Sequence, residues 1–287
     1  MNIDSTCSNF FTVDNLEYSD HEIARIVQDI EATGIVEIKD AFQPWVLDEA
    51  RDYIDIESKR INTDYFSLRA QDMKPCVLTQ LQKSSALKKM FCRILTGAGV
   101  EARDDEYVHH VVRSIRGETN NLASRKYHFD QYNLTALMPL TIPDSEELDC
   151  GDLIIFPNIR KFGGGIVKNL CLKFLVQNQL TRSFATQKWF HWLFNGRRVK
   201  MKPGNMYLFW GFRTYHGNDL IDPSLLRVTG IFHYNDHFED NEVINRVTAY
   251  RPRPQDRIGL LASFKVKVGL FRVLLDGLKA ENAKRRS

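Results

Sequence analysis

Cysteine is scarce in this 287-residue chain and poorly placed for cross-linking: Cys7, Cys76, Cys92, Cys150 and Cys171 are odd in number and include no C-x-x-C pair. That excludes a disulfide framework and a zinc knuckle, and the thiols read as reduced. Long apolar runs are also missing. Nowhere do about 18 apolar residues follow one another, so no stretch reads as a membrane-spanning helix. The first twenty residues carry acids where a secretory signal would carry a basic region before an apolar one, so none is expected and the expected location is the cytoplasm.

The third deficit is of acidic side chains in one region. Residues 153–218 hold 11 Lys/Arg and no Asp/Glu, whereas residues 1–152 hold 16 Lys/Arg against 27 Asp/Glu. A net charge of +3 therefore conceals a segregated distribution, and a field of that sign draws anions.

Hydrophobic residues at 43% and charged residues at 26% predict a soluble globular protein with a core. One domain is expected over residues 1–250, followed by a basic amphipathic tail over 251–287. In the tail Leu260, Leu261, Phe264, Val268, Phe271, Leu274, Leu275 and Leu278 form a helical stripe with Lys265, Lys267, Arg272 and Lys279 around it. Such a helix docks on its own domain, the commoner outcome, or lies on an anionic membrane, which would put the protein at the inner membrane surface.

Apolar periodicity predicts supporting helices. Ile23, Ile26, Val27 and Ile30 recur at helical spacing over 21–32, with Asp20 as N-cap and Gly34 near the end. A strand over 34–39 and a helix over 44–58 follow; the polar residues 59–78, with Pro75, read as an irregular loop, and 79–98 as one helix. Strands are expected at 106–116, at 133–140 with Pro139 and Pro143 marking its end, and at 151–156, 206–212 and 226–234. Gly163 to Gly165 read as a flexible turn, since the lysine and helix start of a phosphate loop are absent.

One stretch carries chemistry, Tyr127-His128-Phe129-Asp130-Gln131-Tyr132. On an extended segment residues i and i+2 share a face, so His128 and Asp130 point into one pocket while Phe129 points away. If His216 folds back beside them, two imidazoles and one carboxylate take one side of an octahedron, the arrangement of non-haem iron(II) oxygenases. Arg227 lies eleven residues after His216, and its fork suits a carboxylate. Thr229 shares its strand face, so the hydroxyl can share that carboxylate. Iron plus an arginine-held dicarboxylate implies 2-oxoglutarate. Two further histidine pairs are weaker metal candidates: His109 and His110 are adjacent and face opposite ways in a strand, and His233 and His237 have helical spacing at the end of a strand.

In this order, His128-Phe129-Asp130, Tyr215-His216-Gly217-Asn218 and Arg227-Val228-Thr229 resemble the metal and co-substrate motifs of the Fe(II)/2-oxoglutarate-dependent dioxygenase superfamily. Residues 33–42 (TGIVEIKDAF) and the run from Gly151 to Pro157 are similar to strands of its phytanoyl-CoA dioxygenase-like branch. The resemblance implies a mainly β fold with supporting helices and a double-stranded β-helix (jelly-roll, cupin-like) core. It implies Fe(II) on His128, Asp130 and His216 as the catalytic centre, 2-oxoglutarate with its far carboxylate on Arg227 and Thr229, and dioxygen as oxidant. It also implies hydroxylation of an aliphatic C–H, because related halogenases carry a small residue where this chain has Asp130. The chain departs from the family after Pro157, where a small turn with Ser-His is usual. Here Asn158 to Gly165 lead into Lys168, Lys173, Arg182, Lys188, Arg197 and Arg198, interleaved with Phe174, Phe184, Trp189, Phe190, Trp192 and Phe194.

That block points to an anionic substrate: phosphorylated, nucleotide-linked, or an acidic sugar on a lipid, the last similar to what the superfamily's Kdo hydroxylases use. Two other readings use the same residues. A non-catalytic β-helix protein could bind nucleic acid or anionic lipid through the block, but it has no need of three ligands and an arginine, so no nucleic acid partner is expected. A zinc hydrolase on the same three ligands leaves Arg227 without a role.

Overall fold

A computed structural model describes residues 10–13, 16–63, 65–116, 124–162 and 183–238. The glycine turn at 163–165, the basic aromatic residues up to Arg182 and the helical tail expected over 251–287 lie outside the described residues. In chain order the elements are α1 (Asp20–Thr33), β1 (Val36–Ile38), α2 (Pro44–Ile61), β2 (Tyr65–Arg69), α3 (Val77–Lys83), α4 (Ser85–Gly97), β3 (His109–Arg116), β4 (Tyr132–Thr141), β5 (Leu153–Phe156), α5 (Lys188–Leu193), β6 (Arg197–Val199), β7 (Met206–Phe209), β8 (Tyr215–Asn218) and β9 (Leu226–Asp236).

Local chemistry explains most boundaries. At the start of α1, Ser19 accepts from the Glu22 amide while Glu22 accepts from the Ser19 amide, a capping box that makes Ser19 the N-cap in place of the expected Asp20. Gly34 ends the helix at φ +86°, a left-handed conformation that glycine adopts without a side-chain penalty. The single helix expected over 79–98 is two, because Ser84 leaves helical geometry and its hydroxyl accepts from the Leu87 amide to cap α4. The expected irregular loop is also corrected. Tyr65–Arg69 alternates exposed and buried residues as β2, a period-two signal hidden by its polar flanks. Among the described residues no helix is long and apolar enough to cross a membrane, and Cys76, Cys92 and Cys150 are free thiols.

The strands form two sheets, ordered β1-β7-β4-β9-β3-β2 and β6-β5-β8. One face of the larger sheet packs on the helices: Leu134, Ala136, Met138 and Leu140 of β4, with Leu208 and Phe232, share a core with Ile30, Val46 and Phe91. The other face meets the smaller sheet through Leu137, Tyr207 and Phe209 against Leu153 and Ile155. β4 is thus buried on both faces, which is why it shows no clean alternation. It also continues through Pro139 to Thr141, beyond the Thr135 to Leu137 ladder with β7. Two facing antiparallel sheets, with α1 to α4 on the outer face of the larger one, are the expected double-stranded β-helix with supporting helices.

His110 lies on the helix-side face, stacked on Phe232 at 4.2 Å, with both ring nitrogens buried and unpartnered among the described residues. Burial, reinforced by His233, pushes its pKa from 6.5 down to about 3. The unfolded chain therefore binds a proton that the folded chain refuses. The contribution to stability is complete above the ordinary value and is lost as pH falls from 6.5 towards 3. The expected slope from this group is about 1.4 kcal/mol per pH unit. Thermal unfolding of metal-free protein between these limits should show it, and His110→Phe should flatten it; an unchanged slope removes the assignment.

Candidate metal centre

The segment carrying His128 runs antiparallel to β8, and the two strands meet at the histidines themselves. The His128 amide donates to the His216 carbonyl at 2.9 Å, and the His216 amide returns the bond at 2.9 Å. Two residues on, the Asp130 amide donates to the Gly211 carbonyl at 3.0 Å. The alternation expected of an extended segment holds here: Tyr127 and Phe129 pack into an aromatic cluster with Phe156, Phe190 and Tyr215. His128 and Asp130 instead line a cavity of about 460 Å³, counting its open mouth, between the sheets.

Both imidazoles are oriented in the same way. His128 Nδ1 lies 2.8 Å from the Lys126 carbonyl and His216 Nδ1 lies 3.0 Å from the Thr214 carbonyl. A carbonyl only accepts, so each Nδ1 carries the proton and each Nε2 lone pair is left for a ligand. His128 Nε2 is 3.4 Å from Asp130 Oδ1 and His216 Nε2 is 3.6 Å from Asp130 Oδ2. Donor atoms of the three residues all lie within 4.8 Å of one another, a group that could hold a metal ion. Burial opposes ionisation of Asp130, but His216, His233 and His128 outweigh it and hold the carboxyl well below the usual range. Burial pushes His216 down to about 4, so this imidazole is neutral at ordinary pH.

Three neighbours fix the carboxylate; sequence reasoning passed over Thr135 and Gly211 and named His233 only as a weaker metal candidate. Thr135 donates to Asp130 Oδ2 at 2.6 Å; its oxygen is 3.1 Å from His233 Nδ1, which can donate to it. His233 stacks on Tyr132 at 4.9 Å and lies 3.6 Å from Asp130 Oδ2. Gly211 closes the back, where an added Cβ would lie 2.7 Å from Asp130 Oδ2 and closer still to Thr135 Oγ1. Gly211→Ala is therefore expected to displace the carboxylate and weaken metal retention by about 10- to 100-fold, the usual effect of disturbing a ligand's support. Metal titration monitored by calorimetry checks this; unchanged affinity would mean the site yields easily.

The far end of the cavity is basic. Arg227 and Thr229 point into it from β9, and Arg113 lines it from β3, where it sits directly opposite Thr229. Burial, with Arg113 nearby, pushes Arg227 down to about 9, while Asp152 opposes the shift. The Asn218 side-chain oxygen, in the orientation that satisfies both groups, accepts from the Arg227 guanidinium. Thr229 Oγ1 and Arg113 Nε are buried without a hydrogen-bond partner among the described residues. Buried polar groups are almost always paired, so these two donors mark a place for an acceptor. All five residues singled out in the sequence, His128, Asp130, His216, Arg227 and Thr229, line this one cavity. Of the weaker candidates, His110 faces the helices and His233 enters the cavity as a neighbour of Asp130.

No protein-family model matches the sequence, and no curated protein matches it. Among solved structures, a prolyl 4-hydroxylase from Phytophthora capsici is similar at 13% identity and a TM-score of 0.50, over 95% of this chain and 90% of that one. The non-heme alpha ketoglutarate dependent carbocyclase SnoK from nogalamycin biosynthesis is similar at 13% identity and a TM-score of 0.50, over 83% and 93%. The chain shares the fold of these two enzymes. The likeness extends over nearly the whole of both, and it does not single out the phytanoyl-CoA dioxygenase-like branch.

Proposed function

We propose that this protein is an Fe(II)- and 2-oxoglutarate-dependent dioxygenase that hydroxylates an aliphatic C–H of an anionic substrate. The carrying observation is that one cavity holds three convergent metal donors at one end and Arg227, Arg113 and an unpartnered Thr229 hydroxyl at the other. Two imidazoles and one carboxylate suit iron(II), and the basic end suits a dicarboxylate. A zinc hydrolase would use the first feature and leave the second without purpose.

Bound iron would supply the oxidising chemistry, coupling decarboxylation of 2-oxoglutarate to succinate with transfer of one oxygen atom from dioxygen to substrate. His128, Asp130 and His216 would hold the metal. Arg227, steadied by Asn218, would grip the far carboxylate of 2-oxoglutarate, with the Thr229 hydroxyl placed to donate to it. Asp130 stays ionised throughout, and Thr135 and His233 keep it in place. Leu137, Leu153 and Ile231 line the cavity and exclude water between its two polar ends.

The substrate class rests on the acid-free stretch. Some of its charge is spent internally: Arg160 is stacked between Phe129 and Phe212, Arg198 pairs with Asp152 and Asp219, and Arg213 pairs with Glu31. Lys161, Lys188, Lys200 and Lys202 remain exposed and form no ion pair among the described residues. They favour a phosphorylated, nucleotide-linked or lipid-linked acidic sugar substrate, as in a Kdo-hydroxylase-like reaction. A cytoplasmic oxygenase domain over 1–250 with a basic tail over 251–287 belongs to the same reading.

The test is anaerobic addition of iron(II) and then 2-oxoglutarate to the full chain. A weak visible charge-transfer band, absent with either component alone, is expected. No band and no 2-oxoglutarate binding by calorimetry would refute the assignment. Binding that is stronger for anionic than for neutral candidates, and weakens with salt, is the expected result for the substrate class.

A further inference from the structure

α5 is held to the outside of the smaller sheet by one side and leaves the other bare. Phe190 meets Phe156 edge-on at 5.0 Å, and His191 meets the same ring at 5.0 Å. On the opposite side Trp192 is 83% exposed, Leu193 57%, Trp189 52% and, just before the helix, Phe184 47%. The rings of Phe184 and Trp189 are 5.7 Å apart, so these residues form a cluster. Single exposed apolar residues are ordinary; a contiguous group with two tryptophans marks an interaction surface.

We propose that this face seats on an anionic lipid bilayer, with Trp189, Trp192, Leu193 and Phe184 in the boundary between headgroups and acyl chains. Tryptophan favours that boundary, where its ring is apolar and its N–H stays wet. The charge around the cluster fits the same partner. Lys188 lies exposed on α5 itself, and Lys200, just after β6, is exposed on the segment that follows it. Basic residues bordering an apolar face add attraction to anionic headgroups. The chain's own tail is a poor occupant, because residues 251–287 carry ten Lys/Arg against three Asp/Glu and would bring like charge onto the patch.

The mounting is rigid. Phe190 belongs to the same buried cluster as Tyr127 and Phe129, the residues flanking His128. The membrane-facing helix is thus one packed layer away from the segment that carries two of the candidate metal donors. The seating itself does not depend on the proposed chemistry.

The test uses the full chain with vesicles of phosphatidylcholine alone or with about 30 mol% phosphatidylglycerol. Binding to the anionic vesicles only, weakened by salt, is expected. Trp189→Ser with Trp192→Ser should lower that binding by about tenfold or more; Trp192→Ser alone, whose side chain is 83% exposed, should lower it in the same direction with the circular dichroism and melting temperature unchanged. Lys188→Glu should lower it in the same direction. Acyl-chain bromines should quench the wild-type tryptophan emission, a readout that needs no variant. Absence of binding, absence of quenching, or binding equal in the wild type and the tryptophan variant would each overturn the proposal. So would a dimer that the tryptophan substitutions dissociate, since a second copy would then be the occupant.

Discussion

Asp130→Ala is expected to abolish metal retention, and with it succinate formation from 2-oxoglutarate. The carboxylate is the only anion in the donor group and lies between the two imidazoles, 3.4 Å from His128 Nε2 and 3.6 Å from His216 Nε2. Its side chain is 7% exposed, so no water layer substitutes for it. Disturbing a supporting residue costs about 10- to 100-fold in affinity, and deleting a ligand that carries the charge costs more. Metal content after dialysis and succinate release in the absence of substrate are the measurements. A variant that keeps its iron and its uncoupled turnover would strip Asp130 of this role.

Arg227→Gln should leave the metal in place and weaken 2-oxoglutarate binding by about 100-fold or more. Removing one member of a buried, hydrogen-bonded charge pair costs roughly 2–5 kcal/mol. Burial and Arg113 already push the Arg227 guanidinium down to about 9, so an arriving carboxylate relieves an existing penalty. Thr229→Val should cost about tenfold, the worth of one hydrogen bond to a charged group. Calorimetric titration of 2-oxoglutarate into iron-loaded protein separates these effects. Equal affinity in the wild type and Arg227→Gln would place the far carboxylate elsewhere.

What could be read from the sequence followed from local rules. The period-two geometry of an extended segment put His128 and Asp130 on one side and Phe129 on the other, and it did the same for Arg227 and Thr229. The residues that were missed depend on pairing between distant strands. Arg113 faces Thr229 only through the β3–β9 register, and Thr135 meets His233 only because β4 and β9 are neighbours. Gly211 gave no local signal, since its need for hydrogen in place of a side chain arises from Asp130, far back in the chain. The acid-free stretch was visible but overcounted as a field, because Glu31, Asp152 and Asp219, which neutralise Arg213 and Arg198, lie outside that window.

The reciprocal backbone bonds between His128 and His216 bear on how the protein acquires its ion. Main-chain pairing fixes the spacing of both rings before any cation arrives, so loading fills a finished socket and does not drive chain ordering. Stripped protein should thus survive chelation with its β-sheet intact and recover on simple re-addition of the ion.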